Sequence, residues 1–111
     1  MSKAGKFLSM VEATDMTVAK EILSQLGGNK FIVMTGAKNL AGSENSLSFK
    51  IGRNKSSANW VEIKLNGKDL YDITFSQARG ANFKVLKVYN DIYNDMLQEI
   101  FTDFTGMNTH L

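Results

Sequence analysis

The chain has 111 residues, 43% hydrophobic and 22% charged, with a net charge of +2, no cysteine and no proline. That length fits one domain and leaves no room for two. The missing thiols exclude disulfides, cysteine nucleophiles and cysteine zinc sites together. The longest apolar runs, such as Phe31-Ile32-Val33-Met34, are far short of the roughly 20 residues of a membrane helix. The N-terminus has no sustained apolar stretch of signal-peptide length. A cytoplasmic protein with no membrane partner is therefore expected.

Residues 1–13 read as a flexible lead-in, with a single domain over 14–111. From Thr14 the pattern is helical. Thr14, Asp15 or Thr17 can accept from the first free amides, and Val18, Ala19, Ile22, Leu23 and Leu26 share one face. Gly27-Gly28 ends this helix. Lys30–Thr35 is rich in large apolar side chains and reads as a strand buried on both faces, closed by Gly36. Asn39–Asn45 reads as a loop.

Ser46–Ile51 alternates, with Leu47, Phe49 and Ile51 inward and Ser48 and Lys50 outward. A polar, basic loop over 52–59 leads to a strand from Trp60 to Leu65, with Val61, Ile63 and Leu65 on one face. Asn66-Gly67 is a strong hairpin signal. A strand carrying Tyr71, Ile73 and Phe75 comes next, then a turn at Arg79–Asn82 and a last strand over Phe83–Tyr89. Asn90 or Asp91 opens a closing helix that Gly106 stops; its stripe is Ile92, Tyr93, Met96, Leu97, Ile100, Phe101 and Phe104.

The fold expected is α+β: an antiparallel sheet of four to five strands flanked by an N-terminal and a C-terminal helix on one face. Its open face would carry Trp60, Glu62, Lys64 and Lys50. A homodimer through the broad apolar stripe of the closing helix is a further expectation.

Charge is unevenly spread. The strand region is basic, and the unevenness suggests two surfaces. Asp91, Asp95, Glu99 and Asp103 recur every four residues and would form one acidic ridge on the closing helix, suited to a basic protein partner. Alternatively, Lys50, Arg53, Lys55 and Lys64 could contact phosphates while Trp60 stacks on a base, the chemistry of a single-strand nucleic-acid binder. The plainer reading of both is a solvated surface.

Catalytic equipment is missing. The one histidine, His110, is next to the C-terminus. Thr35-Gly36-Ala37-Lys38 lacks the spacing of a phosphate loop. No residue set matches a metal site, so no enzyme, metal or cofactor is expected.

Several blocks occur together: Ile22–Phe31 with its Gly27-Gly28, Met34-Thr35-Gly36-Ala37-Lys38-Asn39, Leu47-Ser48-Phe49-Lys50, Val61-Glu62-Ile63-Lys64-Leu65, Leu70-Tyr71-Asp72-Ile73, and Ile92–Thr102 with Thr105-Gly106. In these blocks, over about residues 20–111, the chain resembles a family of small uncharacterised bacteriophage and prophage proteins. The resemblance implies an accessory role in the host cytoplasm, by binding a host or phage protein, such as a host defence complex to be inhibited, or nucleic acid. It carries over no functional residues.

Overall fold

In the computed structural model residues 15–109 are described; the expected lead-in over 1–13, the Thr14 cap and His110 lie outside them. Helix α1 (Thr17–Leu26) begins where the Asp15 carboxylate accepts the Thr17 amide at 2.9 Å. Hydrogen bonding from Thr17 holds the Asp15 carboxyl below its ordinary range. Ala19, Ile22 and Leu26 are buried, as their spacing requires. The helix ends where Gly27, at φ 129°, and Gly28 both donate to the Leu23 carbonyl.

The next segment departs from expectation. Asn29–Thr35 is a helix, α2, and not a strand. Phe31 and Thr35, four apart, are buried, whereas Val33 between them is 79% exposed. A strand buried on both faces would have hidden all three. Four consecutive apolar residues carry no period of their own. The flanking glycines decide the matter: Gly28 starts the helix immediately after α1, and Gly36, left-handed at φ 69°, closes it by donating to Ile32.

Five strands come next, in sequence order, as an antiparallel meander: β1 (Lys38–Gly42), β2 (Ser46–Lys50), β3 (Trp60–Leu65), β4 (Tyr71–Arg79) and β5 (Asn82–Ile92). Strand β1 replaces most of the expected 39–45 loop. It is an edge strand of mainly exposed polar and small residues, with an irregular pairing after Lys38, so it has no apolar alternation to read. The hairpin at Asn66 is where the sequence puts it, but its loop spans 66–70. Asn66 Oδ1 there accepts the Lys68 and Leu70 amides, and Asp69 takes the positive φ.

Strand β5 runs to Ile92, longer than expected, and the closing helix is correspondingly shorter. One 3-10 turn (Asn94–Met96) leads into α3 (Leu97–Thr105). Asp91 is held in the strand. Its amide donates to the Asp72 carboxylate at 3.0 Å, its own carboxylate accepts from Asn66, and Lys68 pairs with it at 3.1 Å. With φ at 59°, it has no place in a right-handed helix.

The helices cover one sheet face. Phe31 meets the Phe49 ring edge-on at 5.3 Å and Phe101 at 5.1 Å; Phe75 joins Phe101, Phe104 and Tyr89. Leu47, Phe49, Val61, Ile63, Tyr71, Ile73 and Phe75 supply the sheet side of the core. Leu97 and Phe101 are buried, with Ile100 and Phe104 packed against the same core. The α3 stripe is thus spent within the chain, while Tyr93 and Met96, ahead of the helix, are exposed. Of the surface expected for a dimer, Tyr93 and Met96 are left exposed. No helix among the described residues is long and apolar enough to cross a membrane.

Candidate functional site

The register fixes which side chains share the open face. Lys38 pairs with Lys50, Lys50 with Trp60, and Trp60 with Ser76, so these four lie in one cross-strand row, of which Ser76 is buried. The next outward row is Ser48, Glu62 and Thr74, and the one beyond is Ser46, Lys64 and Asp72. The expected open face of Lys50, Trp60, Glu62 and Lys64 is therefore real, but its members are not equivalent. Lys64 lies four residues along β3 from Trp60, roughly 13 Å away. Its cross-strand neighbour there is Asp72.

The sheet is electrically polarised along its strands. At the end holding the 51–59 loop and the β4–β5 turn sit Lys38, Lys50, Arg53, Lys55, Arg79, Lys84 and Lys87, with no Asp or Glu in residues 36–38, 49–61 or 75–87. Glu62 lies in the row between, two residues along β3 from Trp60 on the same face, and the opposite end holds Glu44, Asp69, Asp72 and Asp91 against Lys64 and Lys68. Lys38 directly opposite Lys50 is a like-charge pair, which costs rather than contributes stability. Fold stability alone does not ask for that arrangement.

The loop between β2 and β3 is built from its own polar side chains. Asn54 Nδ2 donates to the Gly52 and Ala58 carbonyls at 2.8 and 2.7 Å, while its Oδ1 accepts from the amide and hydroxyl of Ser56. Asn59 then bridges to β4, donating to the Ala78 carbonyl and accepting the Ala78 amide, both at 2.8 Å. Gln77 reaches back to the Ser57 carbonyl. The loop backbone also caps two helices: Gly52 donates to Thr35 and Lys55 to Thr105, the last residues of α2 and α3. The stem of Lys55 lies across Gly106, where a Cβ would come within 3.0 Å of it. Lys55 thus has a packing role as well as a charge.

Between this loop and the end of β4 lies a cleft of about 470 Å³, lined by Arg53, Asn54, Ser57, Asn59, Gln77 and Arg79 among others. Among the described residues the one ion pair is Lys68–Asp91, so neither arginine is matched by a carboxylate there. Arg79, Lys38 and Lys84 were not singled out by the sequence; Arg79 reads there only as a turn residue. Extending the β4 register past Phe75 would have brought Arg79 alongside the loop, but only once the β3–β4 pairing was known.

The acidic ridge does not stand as expected. Asp91 belongs to β5 and Asp95 to the 3-10 turn, leaving Glu99 and Asp103 on α3. Asp95, Glu99 and Asp103 still line one shallow depression of about 290 Å³ with Gln98 and Thr102. The phosphate-loop echo at Thr35 is a helix C-terminus: Thr35 is buried and its hydroxyl donates to the Phe31 carbonyl. Among the described residues no group of three or more His, Cys, Asp or Glu is placed to hold a metal. In comparisons with known proteins, no family model, no curated protein and no solved structure matches this chain.

Proposed function

We propose that this chain is a small phage accessory protein that acts by binding, and that its ligand is single-stranded nucleic acid held at the basic end of the sheet. The observation that supports this is the row Lys38–Lys50–Trp60 on the open face, followed in sequence by the loop that carries Arg53, at an end of the sheet whose residues 36–38, 49–61 and 75–87 hold seven Lys or Arg and no Asp or Glu. An aromatic ring set among unpaired cations suits a strand whose bases stack and whose phosphates pair. The open sheet face leaves room for such a strand, because all three helices pack on the other side. Lys50, Trp60 and Arg53 of the adjoining loop carry this role, with Lys38 added; Arg79 and Lys84 alternate onto the other side of the sheet and Lys64 lies at the far end, so these three are outside it.

Fluorescence anisotropy of labelled oligonucleotides tests the reading. If Lys38, Lys50 and Arg53 each neutralise one phosphate, the slope of log affinity against log salt is about −2. Affinity should then fall about 20-fold between about 50 and 200 mM salt. No binding at low salt to single-stranded DNA or RNA would end the proposal.

A second reading, a protein partner such as a host defence complex, is favoured by one observation. Asp95, Glu99 and Asp103 remain together on one depression, opposite in charge to the sheet end. Capture of a defined basic host protein that is lost when Glu99 and Asp103 become lysines would favour it instead.

A further inference from the structure

We infer that the cleft between the 51–59 loop and the end of β4 is a pocket for a terminal phosphate monoester, with Arg53 and Arg79 as its paired cations. This deepens the nucleic-acid reading and rests on it only for what the phosphate is attached to. Four observations converge.

The cleft, at about 470 Å³, is within the size range of small-ligand sites and exceeds what one phosphate fills, so a sugar or base can enter with it. Its two guanidiniums face no carboxylate among the described residues. Each presents a rigid fork of donors matched to phosphate oxygens, in a way that lysines are not. A monoester near neutral pH carries about −1.5 to −2 charges, which two arginines balance; an internal diester carries only one.

The walls are fixed before any ligand arrives. Asn54 ties the loop to itself through Gly52, Ser56 and Ala58, and Asn59 ties it to Ala78. Gln77 bonds across to Ser57, which holds a left-handed φ of 68° that serine rarely adopts. A pre-formed site loses less entropy on binding.

The local field has opposing parts. The negative ends of α2 and α3 meet the loop, but their last carbonyls, Thr35 and Thr105, are already taken up by the Gly52 and Lys55 amides. Lys84, paired across the strands with Gln77, adds a further positive charge beside the cleft.

The test is calorimetric titration of the full chain with inorganic phosphate, a nucleoside 5′-monophosphate, and one oligonucleotide bearing either a 5′-phosphate or a 5′-hydroxyl. Wild type is compared with Arg53→Gln and Arg79→Gln, each checked for an unchanged thermal melt; Arg53→Lys and Arg79→Lys serve should a glutamine variant melt early. The expected result is a preference of about tenfold or more for the phosphorylated end, abolished in either glutamine variant because the phosphorylated strand loses more affinity than the hydroxyl-ended one. Binding of phosphate and the mononucleotide without any oligonucleotide would leave the pocket standing and remove the nucleic-acid reading. Equal affinity for both ends, no phosphate binding, and equal weakening of both strands by the variants would overturn the pocket while leaving strand binding intact.

Discussion

Replacing Phe31 with alanine should destabilise the chain far more than replacing Val33, two residues away, and the contrast tests the helical assignment of Asn29–Thr35. Phe31 is fully buried, with its ring 5.3 Å from Phe49 and 5.1 Å from Phe101, so it joins α2 to β2 and α3 at once. Truncation removes both edge-to-face contacts and leaves a cavity, at a cost of about 3–5 kcal/mol. Total stability for a chain this size is of order 5–15 kcal/mol, so the variant should fold with little reserve. With an m-value of roughly 1.5 kcal/mol/M, its urea midpoint should fall by about 2–3 M.

Val33 is 79% exposed, so Val33→Ala loses almost no burial and gains helix propensity. It should be neutral or stabilising by up to about 0.5 kcal/mol. Urea denaturation followed by circular dichroism measures both variants, and Phe31→Leu substitutes if the alanine variant is not folded. A Val33→Ala cost comparable to that of Phe31→Ala would mean that both side chains are buried, as in a strand, and would refute α2.

Two further substitutions and one titration bear on the scaffold. Gly42→Ala should cost about 1–3 kcal/mol, because a Cβ there would stand 2.7 Å from that of Ala19 on α1. Gly67→Ala, with nothing within 4 Å and no positive φ, should be neutral in the same melt. Burial, reinforced by the nearby Glu21 carboxylate, raises the Tyr71 phenol above its ordinary value near 10. Above that value the unfolded chain loses the proton while the folded chain keeps it. Stability is therefore full below about pH 10 and should fall above it, by at most roughly 1.4 kcal/mol per pH unit from this group. Tyr71→Phe should flatten that decline in urea melts at alkaline pH; an unchanged decline would mean that Tyr71 does not cause it.

How much of the fold was legible in the sequence depends on how local each signal is. The α1 face, the alternation of β2, β3 and β4 and the site of the Asn66 turn depend on neighbours within a few residues, and the structure keeps them. The segments that differ from expectation lack such a signal. Residues 31–34 have no period, β1 is an edge strand that needs no apolar face, and the β5–α3 boundary is set by Asp91 contacting Asn66 and Lys68, more than 20 residues away. The acidic series at four-residue spacing looked helical because strand, 3-10 turn and helix happen to succeed one another beneath it. Of the candidate site, Lys50, Arg53 and Trp60 were visible as a basic loop next to an aromatic strand. Arg79, Lys38 and Lys84 were not, since only long-range strand register brings them to the same end.

The basic end of the sheet is the proposed working surface, and one measurement tests it most directly. It is an amide chemical-shift footprint of the chain titrated with a short single-stranded oligonucleotide at low salt, including the indole signal of Trp60, the one tryptophan present. Shifts should concentrate at Lys38 and Lys50–Trp60, with the indole among the largest. The far end around Lys64–Asp72 and Asp91 should stay still. Shifts centred on Asp95, Glu99 and Asp103, or no shifts at all, would contradict the account.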